Sequence, residues 1–507
     1  MKRFRIRIRI RYDWVLFALL MLFLFASMLQ KWKEPFSFKP LGGVIEPTPK
    51  PELTYEAYRN NTYQAQLEQY AGEHFGFREP VIRIYNQYLW TAYHKTYCNF
   101  ITPGKKGWLY YKSAVDDYFG TELKGHFKTN EAALSKADDE LEMMGSLCKI
   151  LKDNGITFVA FIAPDKPWVY PEYLPRHDTD TTFANLAEYY DQRMTELGIP
   201  HINMTPWFVA MRDTVPFPLF SKAESHWQYS AIYGYDSLFR YMSAIGEPDF
   251  PRMHIGPPVA YKSDNPEGDE NTLNLLFRIQ SDKIRYKSEI TVEPMATRKP
   301  RVLFVGDSFI WSLENILPFK ELLDDKDVWY YNSTAFIGID KVQRNVKEIN
   351  RLRHILKADY VVVYSAGHQW HQGTFGFAKD ALKQFEQATP TDIAKARLMN
   401  EIERDKDWLL DLKMYASIHD MDLEETMRQE ADNILENKAL LREGMALDTA
   451  EVMRIRKEEI IRGWRHSPDQ VKRLEDKAKM NGKTLEKTME DDAQWVVEHL
   501  LEKGELF

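Results

Sequence analysis

The chain has 507 residues, which is too long for one ordinary hydrophobic core and predicts two or three folded units. Its hydrophobic content of 44% and charged content of 28% are typical of a globular protein. A net charge of −8 and a pI near 6.0 argue against a general nucleic-acid-binding protein, which would carry a basic face.

The amino terminus joins a basic segment to an uncharged apolar run. Six Lys or Arg residues fall within the first 11 positions, and no charged residue occurs from Trp14 to Leu29. This pattern predicts a cytoplasmic segment at 1–12 and a transmembrane anchor at 13–30, which would send the bulk of the chain into the periplasm as a single-pass inner-membrane protein. The alternatives are a cleaved signal peptide, for which no small-x-small site is found at 27–29, and a buried soluble helix.

The next segments change from extended to helical. Residues 31–52 form a Pro-rich linker, since Glu34–Pro51 contains five prolines and two glycines, and it is predicted to be an extended tether leading away from the membrane. From Leu53 to about Tyr97 the pattern is helical, with interruptions at Gly72 and at His74–Arg78.

Helical and strand-like segments then alternate from Gly107 to about Phe377. Residues 131–153 have the pattern of an amphipathic helix, and short apolar runs predict strands at 156–162, 199–203, 301–305, 328–331 and 360–364. This alternation predicts an α/β fold in which helices cover both faces of a parallel sheet. Active residues in such sheets gather at the carboxyl ends of the strands.

Residues 381–507 are rich in charge and poor in glycine, and they contain a weak internal repeat. Residues 405–435 align with 467–497 at an offset of 62 (467 − 405). The matched pairs are Leu412/Leu474, Ala416/Ala478, Leu423/Leu485, Glu424/Glu486, Thr426/Thr488, Met427/Met489 and Ala431/Ala493. The pattern predicts an all-α tail of two related helical hairpins that docks or binds a partner, with chance similarity of amphipathic helices as the alternative.

Two cysteines occur, Cys98 and Cys148. Outside the cytoplasm they could form one disulfide, or they could remain two small buried thiols. Neither belongs to a C-x-x-C motif or a Cys/His cluster, so the sequence predicts no zinc site, and nothing in it implies a soluble cofactor.

A candidate nucleophile follows the predicted strand at 301–305, in the run Gly306-Asp307-Ser308-Phe309. A serine at this point lies on a strand-to-helix turn, where its hydroxyl is exposed and nearby amides can form part of an oxyanion hole. Because Asp and Ser are also common helix N-cap residues, a simple capped turn is the alternative interpretation.

A serine nucleophile needs a base, and the base needs an acceptor that orients it. Among the 13 histidines, His226 has the most informative neighbours, in the run Ala223-Glu224-Ser225-His226-Trp227. Glu224 can reach Nδ1 of the imidazole across a tight turn and leave Nε2 for the serine. A surface histidine in an N-cap region is the alternative.

Four short blocks occur along the chain in a recognisable order. They are His74–Arg78, Gly104–Tyr111, Ala163–Pro175, and the pair formed by Glu224–Trp227 and Gly306–Phe309, with a looser match from Gly268-Asp269 through Leu276. These blocks resemble the alginate O-acetyltransferase family (AlgX/AlgJ type), a branch of the SGNH hydrolases, over roughly residues 70 to 370. The related bacterial DHHW proteins have a similar His-Trp turn. The resemblance implies an SGNH-hydrolase-like three-layer fold, here expected at 53–380.

The resemblance also implies residue roles. Ser308 would be the nucleophile, His226 the general base and Glu224 the orienting carboxylate, where the family usually has the shorter Asp. Oxyanion or substrate contacts would come from Gly306, Asp307, Asn332 and Gln369, the last in place of the Asn of an ordinary SGNH hydrolase. Four further polar residues are interpreted as structural, namely Lys166, Tyr170, His368 and His371.

The predicted function is that of a membrane-anchored, extracytoplasmic O-acetyltransferase that modifies a polysaccharide through an acyl-enzyme. The resemblance implies exopolysaccharide modification similar to alginate acetylation, with a multi-spanning MBOAT-type acyltransferase as the partner that supplies acetyl groups. Two alternatives stay open: a carbohydrate acetylesterase with the same residues, and a non-catalytic glycan-binding or scaffold protein.

Overall fold

The computed structural model describes residues 12–43, 48–120, 130–175, 185–263, 268–277, 279, 283–295, 297–442 and 449–502. The basic residues of the predicted cytoplasmic segment, 1–11, lie outside these ranges. The helices are α1 Tyr12–Lys33, α2 Tyr55–Arg59, α3 Thr62–His74, α4 Arg78–Tyr93, α5 Lys112–Tyr118, α6 Glu131–Asp153, α7 Lys166–Val169, α8 Leu186–Leu197, α9 Thr205–Met211, α10 Ala231–Ile245, α11 Gly268–Thr272, α12 Ile310–Ile316, α13 Phe319–Leu322, α14 Arg351–Lys357, α15 Phe377–Gln387, α16 Pro390–Arg404, α17 Lys406–His419, α18 Leu423–Arg442, α19 Thr449–Arg465, α20 Pro468–Asn481 and α21 Leu485–Glu502. The strands are β1 Ile101–Pro103, β2 Leu109–Tyr111, β3 Thr157–Ala163, β4 His201–Asn203, β5 Met253–Ile255, β6 Val259–Lys262, β7 Ile284–Lys287, β8 Ile290–Val292, β9 Arg301–Gly306, β10 Asp325–Tyr330, β11 Thr334–Ile337, β12 Val342–Asn345 and β13 Tyr360–Ala366.

A seven-stranded sheet lies at the centre, in the order β12-β11-β10-β9-β13-β3-β4. The five strands from β10 to β4 are parallel, which confirms the predicted α/β sheet, while β11 and β12 add an antiparallel edge. The sequence did not predict this edge, because β12 is a short polar segment in which every residue is exposed. Such a strand lacks the apolar pattern that identifies its neighbours.

Both faces of the parallel strands are covered by helices. In β13, Val362 and Tyr364 pack toward a cluster that includes α10, whereas Val361 and Val363 pack toward α6, α8 and α14 on the other face. Successive side chains of a strand point to opposite faces. A strand buried on both faces therefore has no polar alternation, which is why its sequence reads as a continuous apolar run.

The predicted helix at 131–153 is confirmed as α6, and the five predicted strands correspond to β3, β4, β9, β10 and β13. The expected interruption at Gly72 is wrong, because this residue lies inside α3. The second expected interruption, at His74–Arg78, agrees with the structure, in which the chain turns at Phe75–Phe77 between α3 and α4. Two antiparallel pairs between α10 and β9, formed by β5 with β8 and by β6 with β7, were not predicted.

Among the described residues, α1 is the one helix long and apolar enough to cross a membrane. The segment after α1, predicted to be an extended tether leading away from the membrane, makes contacts with the α/β domain. Arg83 Nη2 donates to Pro40 O at 2.8 Å, and the Gly42 amide donates to Asn274 Oδ1 at 2.7 Å. The linker is therefore in contact with the domain at Pro40 and Gly42.

The described part of the carboxyl-terminal region contains six helices in two units of three, α16–α18 and α19–α21. Several of the repeated residues are buried at equivalent positions in both units, as shown by Ala416 and Ala478 and by Ala431 and Ala493. The predicted hairpins are α17–α18 and α20–α21. Each is completed by a preceding helix, α16 or α19, that the sequence comparison missed.

The first helical unit is docked on the α/β domain. Arg353 and Lys357 of α14 form ion pairs with Glu403 of α16, at 2.9 Å in both cases. Asn400 donates to the carbonyl of Arg353 at 3.1 Å. The predicted division at residue 380 falls within α15, whose residues Phe377, Ala378 and Ala381 pack into the core beside the sheet.

Cys98 and Cys148 are free thiols, so of the two predicted states the structure has the unpaired one. Burial raises the pKa of Cys148 to about 12, which disfavours the reactive thiolate.

We expect Ile402→Ala in α16 to lower the free energy of unfolding of the helical region by about 2–5 kcal/mol, because Ile402 is fully buried and its loss leaves a cavity. Ile418→Ala in α17 is the matched control, since this residue is 75% exposed and should change stability by less than about 0.5 kcal/mol. Urea unfolding followed by circular dichroism measures both. Equal losses in the two variants would contradict the packing of α16.

Candidate active site

The turn after β9 is held by the buried carboxylate of Asp307. Its Oδ1 accepts the amide of Phe309 at 2.9 Å, and its Oδ2 accepts the amide of Ala366, at the end of β13, at 2.8 Å. Asp307 thus joins the carboxyl ends of two central strands, and Ser308 projects between them. Since both carboxylate oxygens accept hydrogen bonds, the structure assigns Asp307 to holding this turn. The expectation that Asp307 contributes an oxyanion or substrate contact stays a prediction.

His226 bridges the serine and a carboxylate. Its Nε2 lies 2.8 Å from Ser308 Oγ, and its Nδ1 lies 2.9 Å from Glu224 Oε1. These distances are those of hydrogen bonds, with Nδ1–H donating to the carboxylate and Nε2 accepting from the hydroxyl as the tautomer that satisfies all three groups. The three residues predicted to act together are therefore adjacent.

Glu224 is seated by backbone amides. Its Oε1 also accepts the amide of His226 at 3.2 Å, and its Oε2 accepts the amide of Gly268 at 2.9 Å. A Cβ atom at position 268 would lie 2.4 Å from Oε2, so only glycine allows this close approach. Gly268 was noted in the sequence only as part of a loose match, and the structure gives it a specific place beside the carboxylate.

The electrostatics of this cluster follow from its partners. Burial opposes the charge on His226, but the hydrogen bond and negative charge of Glu224 raise the pKa of the imidazole overall. Burial likewise opposes the charge on Glu224, and His226 lowers the pKa of that carboxyl below its usual range. Burial and the nearby Glu224 raise the pKa of Asp269, which accepts from the Ser225 hydroxyl, to about 7. Glu224 is thus the ionised acceptor that orients the imidazole.

Lys166 stabilises the backbone of the turn that contains Glu224. Its ammonium is buried and donates to the carbonyls of Leu109, Lys222 and Glu224 at 2.6, 2.9 and 3.1 Å. A buried ammonium with three acceptors has all its donors satisfied. This geometry agrees with a structural rather than a chemical part for Lys166.

Ser308 borders two cavities of very different size. The larger is a groove of about 650 Å³ whose floor includes His226 and Glu224. Its walls carry aromatic and cationic side chains, namely Tyr229, Tyr261, Tyr286, Trp311, Arg285 and Lys287. Aromatic rings beside hydrogen-bonding groups suit the faces and hydroxyls of sugars.

The smaller cavity, about 20 Å³, brings residues to Ser308 that the sequence did not assign to the site. Tyr331 lines this cavity together with Ser308, and burial first and the charge of Asp307 next raise the pKa of its phenol. His368 pairs with Asp165 at 2.7 Å, and this carboxylate outweighs burial to raise the pKa of His368 to about 9. His368, interpreted as structural from the sequence, is thus a buried imidazolium that lines the same small cavity as Ser308.

The remaining candidates separate into near and distant groups. Gln369 borders the small cavity, and its side-chain amide lies 3.2 Å from His368 Nε2. Asn332 is turned away, because its Nδ2 donates to Phe375 O and to Asp380 Oδ2 of α15. Gly306 is buried at the end of β9, packed against the carbonyl of Tyr364. Neither Asn332 nor Gly306 therefore lines the site as predicted.

A search of the described residues finds no group of three or more His, Cys, Asp or Glu side chains arranged to hold a metal ion.

Comparison with known protein families gives one match. Residues 101–244 match the model described as SGNH hydrolase-like domain, acetyltransferase AlgX. The predicted resemblance to the AlgX/AlgJ-type O-acetyltransferase family is confirmed. The matched segment contains the Glu224–His226 turn and ends before β9, so it does not include Ser308.

Solved structures with related folds have low identity. The O-acetyltransferase domain of Pseudomonas putida AlgJ is 16% identical, with a TM-score of 0.32 and alignment over 57% of this chain and 87% of that one. Pseudomonas aeruginosa AlgX is 13% identical, with a TM-score of 0.36 over 57% and 70%. Bacillus cereus PatB1 is 10% identical, with a TM-score of 0.32 over 55% and 99%. A search of curated proteins found no match.

We expect Gly268→Ala to lower the pKa of His226, because the new methyl group would displace the carboxylate that stabilises the imidazolium. Imidazole NMR titration measures this pKa, with the His226 signal identified by its loss in His226→Gln. Gly463→Ala is the matched control, since no atom lies within 4 Å of the added methyl group. An unchanged His226 pKa in Gly268→Ala would contradict the seating of Glu224.

Proposed function

We propose that this protein is a membrane-anchored, extracytoplasmic O-acetyltransferase that acts on a polysaccharide through Ser308, His226 and Glu224. The observation that carries the proposal is the continuous contact from Glu224 through His226 to Ser308, at 2.9 and 2.8 Å. The match of residues 101–244 to an acetyltransferase model supports the same reaction class. An acid, an imidazole and a hydroxyl in this geometry activate the hydroxyl as a nucleophile.

The reaction would proceed in two displacements. In the first, Ser308 Oγ attacks the carbonyl carbon of an acetyl donor while His226 Nε2 accepts the hydroxyl proton. The tetrahedral intermediate collapses, the donor leaves with the proton from His226, and an acetyl ester remains on Ser308. In the second, His226 accepts a proton from a glycan hydroxyl, whose oxygen attacks the ester, and the proton then returns to Ser308 Oγ.

The developing oxyanion needs donors near Ser308. The Ser308 amide is one candidate, and the side-chain amide of Gln369, at the edge of the small cavity, is another. The positive charge on His368 lies in the same cavity and would favour a negative oxygen there. The groove on the larger side is open and wide enough for several sugar rings, so it would hold the acceptor.

The amino-terminal helix supports retention at a membrane. Ser27 and Gln30 of α1 are buried against the folded domain, and Phe23 stacks on Phe77 at 6.4 Å between ring centroids. A signal peptide removed by cleavage would have no need of such contacts, so an uncleaved anchor is the better interpretation. Acetyl groups arise as cytoplasmic thioesters, so the donor partner would be the multi-spanning MBOAT-type acyltransferase that the family resemblance implies.

We expect Ser308→Ala to reduce acetyl transfer from an activated acetyl ester to an oligosaccharide by about 10⁴-fold or more, because no other hydroxyl replaces the nucleophile. Mass spectrometry of the quenched reaction should detect one acetyl group on the peptide containing Ser308 in the parental protein only. Ser237→Ala in α10 is the matched control, since its hydroxyl donates to a helix carbonyl within α10.

The same assay separates the alternative functions. Unchanged transfer in Ser308→Ala would rule out the mechanism. Release of free acetate without glycan acetylation would identify an acetylesterase. Failure of Ser308 to react with either the ester or a serine-directed phosphonate would identify a non-catalytic binding protein.

Activity should rise with pH through the pKa of His226, because only the neutral imidazole accepts the serine proton. Glu224 raises this pKa, so Glu224→Gln should move the midpoint of the acid limb to lower pH. The plateau rate should also fall, by up to about 10⁴-fold, since the amide no longer stabilises the imidazolium formed during attack. The pH profile of transfer in the two proteins measures both effects. A midpoint that moves to higher pH would contradict the assigned pair.

A further inference from the structure

The carboxyl-terminal half of α1 is docked directly on the turn between α3 and α4. A Cβ atom at Gly76 would lie 2.3 Å from the carbonyl oxygen of Ser27, so the two backbones touch where only glycine fits. Gln30 is buried at the same contact and exchanges hydrogen bonds with the backbone of Phe36, at 2.7 and 3.2 Å. The block His74–Arg78 is thus an element that binds α1.

This contact fixes a depth along α1. Phe77 stacks on Phe23, which precedes the end of the uncharged run at Leu29 by about 9 Å at a helical rise of about 1.5 Å per residue. If α1 spans the bilayer, Phe77 therefore lies inside the apolar layer. A turn of the extracytoplasmic domain would then be below the level of the headgroups.

The helix that follows this turn has an uncovered apolar face. Val81, Ile84, Tyr85 and Tyr88 of α4 are spaced for one side of a helix and are 39, 56, 51 and 56% exposed. On the opposite side, Asn86 is buried and donates to the carbonyl of Leu273 at 2.9 Å. An exposed stripe of aliphatic and tyrosine side chains suits the boundary between acyl chains and headgroups.

We propose that the turn Phe75–Phe77 and the apolar face of α4 are inserted in the outer leaflet of the membrane beside α1. The occupant of this face is the lipid bilayer, because Phe77 is already held at the depth of Phe23 and α4 begins at the next residue. The proposal rests on the membrane anchoring by α1 that is part of the proposed function. In this arrangement the α/β domain contacts the bilayer directly, and this contact of Phe75–Phe77 and α4 with lipid is called the membrane seat below.

The membrane seat would also fix the position of Glu224, His226 and Ser308 relative to the bilayer. Asn86 of α4 holds Leu273, and Leu273 follows α11, whose first residue, Gly268, donates to Glu224. A short path of packed backbone therefore connects the lipid-facing helix to the carboxylate that orients His226. Ser308 would keep a constant height above the membrane, where a membrane-bound donor must deliver the acetyl group.

Spin-label accessibility tests the membrane seat in the full chain. The protein carrying Cys98→Ser and Cys148→Ala is reconstituted in nanodiscs of phosphatidylethanolamine and phosphatidylglycerol, and Ile84→Cys, Phe25→Cys or Val342→Cys is added. These positions are 56, 66 and 48% exposed, so their labels are comparable. Oxygen concentrates in lipid, whereas a nickel chelate stays in water. We expect the oxygen-to-chelate ratio at Ile84 to be several-fold above that at Val342 and similar to that at Phe25.

Each other result has a distinct meaning. A ratio at Ile84 equal to that at Val342, with Phe25 in lipid, would overturn the membrane seat and leave the anchor in place. Water accessibility at Phe25 as well would refute the anchor and the membrane seat together. A label at Ile84 shielded from both reagents would identify a second copy of the chain as the occupant and overturn the assignment to lipid. Phosphonate labelling of Ser308 should proceed at the parental rate in all three variants.

Discussion

The buried ammonium of Lys166 is the interaction on which the site depends. Its three donors reach the carbonyl of Leu109 and those of Lys222 and Glu224, so Lys166 joins two segments that are far from each other and from itself in the chain. A buried cation left without partners costs several kcal/mol, so these segments must meet whenever the domain folds. Trp108 and Tyr110 add their ring faces to the same charge, at 4.8 and 5.1 Å. Three of the blocks that carry the family resemblance are thereby explained as one structural cluster that supports the turn of His226.

The hydrogen bonds of the Glu224 carboxylate explain why glutamate can stand where the related family usually has aspartate. Glu224 uses one oxygen for the imidazole and the amide of His226 and the other for the amide of Gly268. The extra methylene, relative to aspartate, lets a single carboxylate span both amides, and the missing side chain at Gly268 provides the space. The departure from the usual residue is therefore matched by its surroundings, and the ionised acceptor needed by the imidazole is retained. The burial of Glu224 and the raised pKa of His226 follow from this one arrangement.

The sequence predicted the parts of the fold and site whose signals are local. Strands such as β13 are covered on both faces and leave continuous apolar runs, and the Glu224–His226 contact lies within one turn. Contacts between distant segments left no comparable signal: His368 and Asp165 are 203 residues apart, and each alone resembles an ordinary polar residue. Asn332 shows the opposite error. It follows a strand as an oxyanion donor should, but a backbone φ of 49° and the attraction of Asp380 turn its amide away. Position after a strand gives the location of a residue and not the direction of its side chain.

At both ends of the chain, too, the sequence pattern indicated the type of structure but not the contacts that it makes. In the helical tail the repeat was visible mainly where small or apolar residues are buried at equivalent positions, and α16 packs on the α/β domain through Asn400 and the carbonyl of Arg353. At the amino terminus, proline and glycine content predicted an extended tether, because composition reports the lack of regular structure and not the lack of contacts. Pro40 and Gly42 lie outside helices and strands and are hydrogen-bonded to the domain. Helix α1 is held by such contacts and by the close approach at Gly76, so it cannot rotate freely relative to the α/β domain. The orientation of the groove relative to α1 is therefore a property of the fold, established by the same close packing that establishes the active residues.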